Sequence, residues 1–154
     1  MEIGDILTEK SVVTALKATS KKQALEELAH RAAEGTGLRE REIFDVLLER
    51  ERLGTTGVGS GIAIPHGKLP DLDRLYGCFA RLEEPVEFDA VDSQPVDLIF
   101  LLLAPESAGA DHLKALARIS RVLRNTVSCD KLRHAASASA IYNLLTSDTQ
   151  SRAA

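Results

Sequence analysis

Leu98-Ile99-Phe100-Leu101-Leu102-Leu103-Ala104 is a run of seven apolar residues with no polar break. A strand with one wet face alternates apolar and polar side chains, so a run apolar on both faces predicts a central strand covered above and below. The run is far too short to span a bilayer as a helix, which takes ~20 residues. Helices must then lie on both sides of a sheet. The expected fold class is α/β: a single three-layer domain, a mixed β-sheet flanked by helices on both faces. With 154 residues the chain is long enough to bury one such core and too short to suggest a second.

The remaining periodicities fit that frame. Val12 to Ala18 and Tyr76 to Leu82 read as strands, and Ile62-Ala63-Ile64 as a short one. Ser20-Lys21-Lys22-Gln23 offers a capping box opening a helix with Ala24, Leu25, Leu28, Ala29 and Ala32 on its apolar face, ending at Gly35-Thr36-Gly37. A second helix, about Glu40 to Arg52, is expected to bury Ile43, Phe44, Leu47 and Leu48 and to display Glu49, Arg50, Glu51 and Arg52. From Ala110 to Arg124 a further helix is expected to bury Leu113, Leu116, Ala117, Ile119, Val122 and Leu123. A last helix runs around Ser139 to Leu145. The folded domain is expected over 1–146, with 147–154 as a disordered tail too poor in apolar residues to pack.

Composition removes several classes of partner. The net charge is −4, there is no basic run, and aromatics make up only 4% with no Trp, so nucleic acid and anionic membrane surfaces are poor partners. The start, MEIGDILTEK, lacks the cationic segment of a secretory signal, and no apolar run is long enough for membrane insertion. Cys78 and Cys129 are isolated, match no metal or redox spacing and read as buried small hydrophobes. A reduced, cytoplasmic protein is expected. His30, His66, His112 and His134 include no pair at helical metal spacing, and neither a metal nor a cofactor is expected.

The chemical signal lies in Gly57 to Lys68, GVGSGIAIPHGK. Five of the ten glycines fall between Gly54 and Gly67, which argues for a backbone forced into tight turns or held close to something. A phosphate-binding P-loop needs four residues between its glycines and a Ser or Thr after its lysine; here five residues separate Gly61 from Gly67, and Leu69 follows Lys68. A nucleophile elbow is also absent, since Val58 stands two before Ser60. What remains is His66, preceded by Pro65, which restricts the backbone, and followed by Gly67, which leaves one face of the ring open. Locally, Pro-His-Gly suits an ordinary turn histidine as well as a reactive one. Arg50 by itself reads as a solvated helix-end cation, His112 as a capping or packing residue beside Asp111, and Lys68 as solvated or steering. His30 and His134 read as exposed helix residues.

The longer stretch from Leu48 to Lys68, LERERLGTTGVGSGIAIPHGK, resembles the signature of the phosphotransferase-system enzyme IIA domains of the mannitol-fructose class. Phe88-Asp89-Ala90-Val91-Asp92-Ser93-Gln94-Pro95-Val96-Asp97-Leu98 and Asp111-His112-Leu113 continue the likeness, and the former is most similar to the nitrogen-regulatory branch. Where many members have Ser-Thr-Gly and an Asn between later glycines, this chain has Thr55-Thr56-Gly57 and Ser60. The resemblance implies that 1–146 is an enzyme IIA type 2 domain with His66 as the phosphorylated histidine, Arg50 as its nearby arginine and His112 as the second active-site histidine. It implies Thr56 as a hydroxyl near the phosphate, and backbone N–H groups around Gly67 can add donors there at no steric cost. It further implies a phosphoryl carrier and regulator: the donor would be a histidine phosphocarrier protein, and the regulated partners proteins such as potassium-transport or sensor proteins. A sugar-specific enzyme IIA, passing phosphate to a separate IIB for fructose or mannitol, is the alternative.

Overall fold

The structure, a computed structural model, describes residues 1–147 together with the backbone of 148–153. In chain order its elements are β1 (Val12–Leu16), α1 (Lys21–Thr36), α2 (Glu40–Arg52), β2 (Gly57–Gly59), β3 (Ile62–Ala63), β4 (His66–Leu69), β5 (Tyr76–Val86), β6 (Val96–Pro105), α3 (Ala110–Leu123), α4 (Thr126–His134) and α5 (Ala138–Ala153). The tail expected over 147–154 lies, after Ser147, outside the fully described residues.

The apolar run becomes the core of β6. The strand order is β1-β5-β6-β3-β2, with β4 also on β6. Strand β5 runs antiparallel to β6 and parallel to β1, while β3 and β4 run parallel to β6, so the sheet is mixed. Alternate residues of β6 serve two separate cores. Ile99, Leu101 and Leu103 pack with Leu25, Leu28, Ile43 and Leu47 of α1 and α2. Leu98, Phe100 and Leu102 pack with Ala115, Ile119 and Val122 of α3, Leu132 of α4 and Ile141 of α5. All seven residues of the run are fully buried.

Strands β3 and β4 run one after the other along the same side of β6. Ile62 lies opposite Leu98 and His66 opposite Leu102, the same offset on either side of Ile64-Pro65. Proline has no N–H to give the ladder, so pairing stops and restarts there, with the Pro65 carbonyl accepting from Leu102 N at 3.0 Å. Ahead of this, Gly59, Ser60 and Gly61 turn the chain with positive φ angles of 106°, 58° and 82°. A side chain at Gly61 would meet Arg133 Nη2 at 2.7 Å and Asp97 Oδ1 at 2.8 Å, because the Arg133 guanidinium bridges Asp97 and the Ser60 carbonyl.

Four local expectations change. On α3 the buried stripe is His112, Ala115, Ile119, Val122 and Leu123, whereas Leu113 is 67% exposed and Ala117 is exposed; spacings of three and four from Ile119 reach His112 and miss Leu113. On α2 Glu51 is buried and Leu48 only half-buried. Strands β2 and β4 and helix α4 were not foreseen: the strands are short, glycine-bearing edge pieces, and α4 is polar, announced only by Asn125, whose side chain accepts from Ser128 N at 3.0 Å. The capping box is displaced. Ser20 Oγ accepts from Gln23 N as expected, but Gln23 Oε1 returns to Thr19 N, at 2.6 Å.

Candidate functional site

Strand alternation aims two adjacent residues in opposite directions. His66, opposite Leu102, faces the α3 layer, and Gly67, opposite Leu103, faces α2. A Cβ at Gly67 would collide with Val46 Cγ1, so glycine lets α2 lie directly against β4. That close approach brings the last turn of α2, and Arg50 with it, to the ring of His66.

Two hydrogen bonds define the protonation of the His66 ring. Nδ1 lies 2.8 Å from the Ile64 carbonyl, which can only accept, so the proton is on Nδ1. Arg50 Nε, which can only donate, reaches Nε2 at 3.3 Å, so Nε2 carries the lone pair. The same guanidinium donates from Nη1 to the Gly54 carbonyl at 2.9 Å. Burial pushes the imidazole below the usual histidine range; the Ile64 carbonyl pulls it back up, Arg50 lowers it and Glu51 raises it. At neutral pH the half-buried ring is therefore neutral, with its free lone pair directed at an arginine.

His112 comes from the first turn of α3, and its ring centroid lies 5.6 Å from that of His66 with the planes tilted by 51°. It is buried, and its Nε2 has no hydrogen-bond partner among the described residues. Burial lowers its pKa first, then the proximity of His66 and Lys68. A buried ring nitrogen without a partner carries a free-energy cost, which is recovered when an acceptor or donor arrives beside it. The sequence-predicted trio of His66, Arg50 and His112 thus converges from β4, α2 and α3.

Thr56 and Gly67 stand differently. The Thr56 hydroxyl donates to Glu51 Oε2, its backbone N–H donates to Glu51 Oε1 at 3.0 Å, and the residue is only 4% exposed. Gly67 is half-buried between His66 and the α2 face. Glu51, assigned to solvent from its place in a run of alternating charges, is the functional-region residue that sequence reading passed over. Its spacing of four from Leu47 and eight from Ile43 puts it on the buried face of α2 and could have found it.

His30 and His134 lie exposed and away from this cluster, His30 beside Glu40 at 2.8 Å and His134 on the Asp130 carbonyl. Cys78 and Cys129 are buried, and the Cys129 thiol donates to the Leu123 carbonyl at 3.2 Å. No group of three or more His, Cys, Asp or Glu among the described residues could hold a metal ion, and no described helix is long and apolar enough to cross a membrane. An uncharged imidazole, an arginine on its lone pair and a second imidazole facing it can accept an electrophile of high negative charge, such as a phosphoryl group.

Comparison with known proteins finds relatives over nearly the whole chain. The family model described as "Phosphoenolpyruvate-dependent sugar phosphotransferase system, EIIA 2" matches residues 5–148. The chain is 60% identical over 145 residues to a nitrogen regulatory protein of Bradyrhizobium diazoefficiens, covering 94% of this chain and 95% of that one. It is 40% identical over 151 residues to the nitrogen regulatory protein of Escherichia coli K12, covering 97% and 92%. The crystal structure of nitrogen regulatory protein IIA-Ntr from Neisseria meningitidis matches with a TM-score of 0.89 at 38% identity, covering 94% of this chain and 99% of that one.

Proposed function

Because the chain belongs to the EIIA 2 family of the phosphoenolpyruvate-dependent sugar phosphotransferase system, whose domains are phosphoryl carriers, we propose that it carries phosphate on His66 in the nitrogen-related branch. It takes the phosphoryl group from a histidine phosphocarrier protein and signals through protein binding that depends on its phosphorylation state, in the cytoplasm. The observation that carries the reading is the committed tautomer of His66, with Nδ1 held by Ile64 and the Nε2 lone pair facing Arg50.

The transfer needs no proton to leave. The His66 Nε2 lone pair bonds to phosphorus as the bond from phosphorus to the donor's ring nitrogen breaks, and a donor ring protonated at its other nitrogen departs as neutral imidazole. His66 keeps its Nδ1 proton, and the Ile64 carbonyl supports the positive ring that results. The Arg50 Nε–H must exchange the lone pair for a phosphate oxygen as the donor docks, an exchange favoured by the length of its 3.3 Å bond and the charge of the phosphoryl oxygens. His112 Nε2, which has no hydrogen-bond partner among the described residues, is the second group to donate to a phosphate oxygen, from the tautomer that carries its proton there. Thr56 supports the phosphate neighbourhood through the turn it stabilises, and the Gly67 backbone borders it.

Exposed apolar residues flank the site: Leu53, beside Gly54, at 85% and Leu113, beside His112, at 67%. Such residues suit a protein donor better than a small molecule. The names of the relatives favour nitrogen regulation over sugar uptake. Transfer from purified phosphorylated phosphocarrier, combined with growth of a deletion strain, tests the reading. Unimpaired growth on fructose and mannitol is expected, and loss of growth on either would favour the sugar-specific alternative.

A further inference from the structure

We propose that Glu51 is a positioning residue for the phosphoryl site, holding the turn that aims Arg50 at His66. The inference rests on the carrier reading above for its catalytic consequence and on geometry alone for its structural one.

Glu51 sits next to Arg50 at the end of α2, with a side chain only 4% exposed. Both of its carboxylate oxygens are engaged. Oε1 pairs with Lys21 Nζ at 2.9 Å and accepts from Thr56 N at 3.0 Å, and Oε2 accepts from the Thr56 hydroxyl. The backbone carbonyl of Glu51 accepts from Gly54 N at 3.1 Å. One residue therefore ties both ends of the Gly54–Thr56 turn to the helix. The Gly54 carbonyl in that turn receives Arg50 Nη1, and this second anchor keeps the guanidinium rotated with Nε on His66.

The far side of the turn is held as well. Thr55 Oγ1 donates to the Phe88 carbonyl at 2.9 Å, Val91 N donates to the Gly57 carbonyl at 3.1 Å, and the Lys21 ammonium lies 4.9 Å over the Phe88 ring. Lys21 Nζ is also 3.7 Å from Asp89. The Phe88-Asp89-Ala90-Val91 stretch, which makes no contact with His66 in any of these bonds, thereby acquires a role: it backs the turn that Glu51 closes. A planar guanidinium aimed by two acceptors loses its alignment when one acceptor drifts, and a displacement of about 1 Å at a reacting group is able to cost on the order of 10²-fold in rate.

Single-turnover phosphorylation by phosphorylated phosphocarrier, measured across donor concentrations, tests this in Glu51→Gln, Thr56→Val, Arg50→Ala and each double variant with Arg50→Ala. Glu51→Gln and Thr56→Val are expected to lower the saturating rate by about 10-fold to 100-fold with the half-saturating donor concentration unchanged, and to have no further effect in the Arg50→Ala background. Glu51→Gln with the parent's saturating rate, or with an undiminished effect when Arg50 is already Ala, would overturn the proposal. Nitrogen-15 spectra of the Arg50 Nε–H give a reading that needs no activity: its exchange with solvent should speed up at least several-fold in both variants. Unchanged exchange would equally overturn it, in Thr56→Val alone if Glu51→Gln does not fold. A parent protein that accepts no phosphate would instead sink the carrier reading, leaving the exchange measurement to decide this one.

Discussion

The rings of His66 and His112, from β4 and α3, face each other 5.6 Å apart, close enough for a phosphoryl group on one to reach the other. Of the two, His66 has both ring nitrogens engaged, whereas His112 Nε2 is buried with no hydrogen-bond partner among the described residues. His112→Ala should therefore reduce acceptance of phosphate less than it shortens the life of the phosphorylated form. Timed acceptance, followed by timed return of phosphate to unphosphorylated carrier and loss to water, separates the two. Acceptance slowed by a larger factor than the lifetime is shortened would reverse the roles assigned to the pair.

The pH behaviour has a definite sign. Burial is the leading cause that holds both His66 and His112 below the unfolded value of 6.5, so as pH falls through 6.5 the unfolded chain binds protons first and stability is lost. A ring titration followed by nitrogen-15 NMR should give a midpoint for His66 under 6.5. Denaturant midpoints between pH 7 and 5 should fall less steeply in His112→Gln than in the parent, since a group that resists protonation has been removed. His30 titrates with the opposite sign, raised by its hydrogen bond to Glu40, and cancels in that difference. A steeper fall in His112→Gln would contradict the assignment.

Gly67 is required by packing. A methyl there meets Val46 Cγ1, a β-branched side chain with little rotamer freedom on a helix. Gly67→Ala should cost about 1–3 kcal/mol by overpacking. Adding Val46→Ala should recover part of the loss, as read from urea midpoints. If the double variant is less stable than the two single costs predict together, the contact is not the cause.

Because β6 is dry on both faces, Leu98 and Leu101, which point to opposite cores, should be equally intolerant of truncation. Each Leu→Ala change should cost about 2–5 kcal/mol. A cost under about 1 kcal/mol for either would mean that one face of the strand is not covered.

The three layers were legible because seven apolar residues in a row have only one comfortable place in a soluble sheet. Helix α2 has the expected bounds, Glu40–Arg52, since its apolar periodicity and the following Gly54 are both local signals. Glu51 was not legible in the same way. Its identity suggests solvent, and only tertiary partners, Lys21 from α1 and Thr56 from the next turn, make its burial tolerable. Leu113 misled for the converse reason: its side chain is apolar, but its phase on α3 is wrong, and the buried position one residue earlier belongs to His112. Strand β4 could not be read from four residues containing a His, a Gly and a Lys; it exists because β6 offers it an edge. The convergence of Arg50, His66 and His112 came from the family likeness, since no local pattern in the chain relates three residues on separate elements.

Intact-mass measurement of the parent and His66→Ala, each incubated with the general phosphotransferase enzyme, a histidine phosphocarrier and phosphoenolpyruvate, bears most directly on the carrier role. The parent should gain one acid-labile phosphate, and Arg50→Ala should gain it more slowly, by about 10²–10³-fold or less, as expected for loss of one electrostatic donor. Folded His66→Ala, verified by circular dichroism, should gain none, because alanine has no nitrogen to bond to phosphorus. One phosphate on folded His66→Ala would contradict the assignment of His66 as the acceptor.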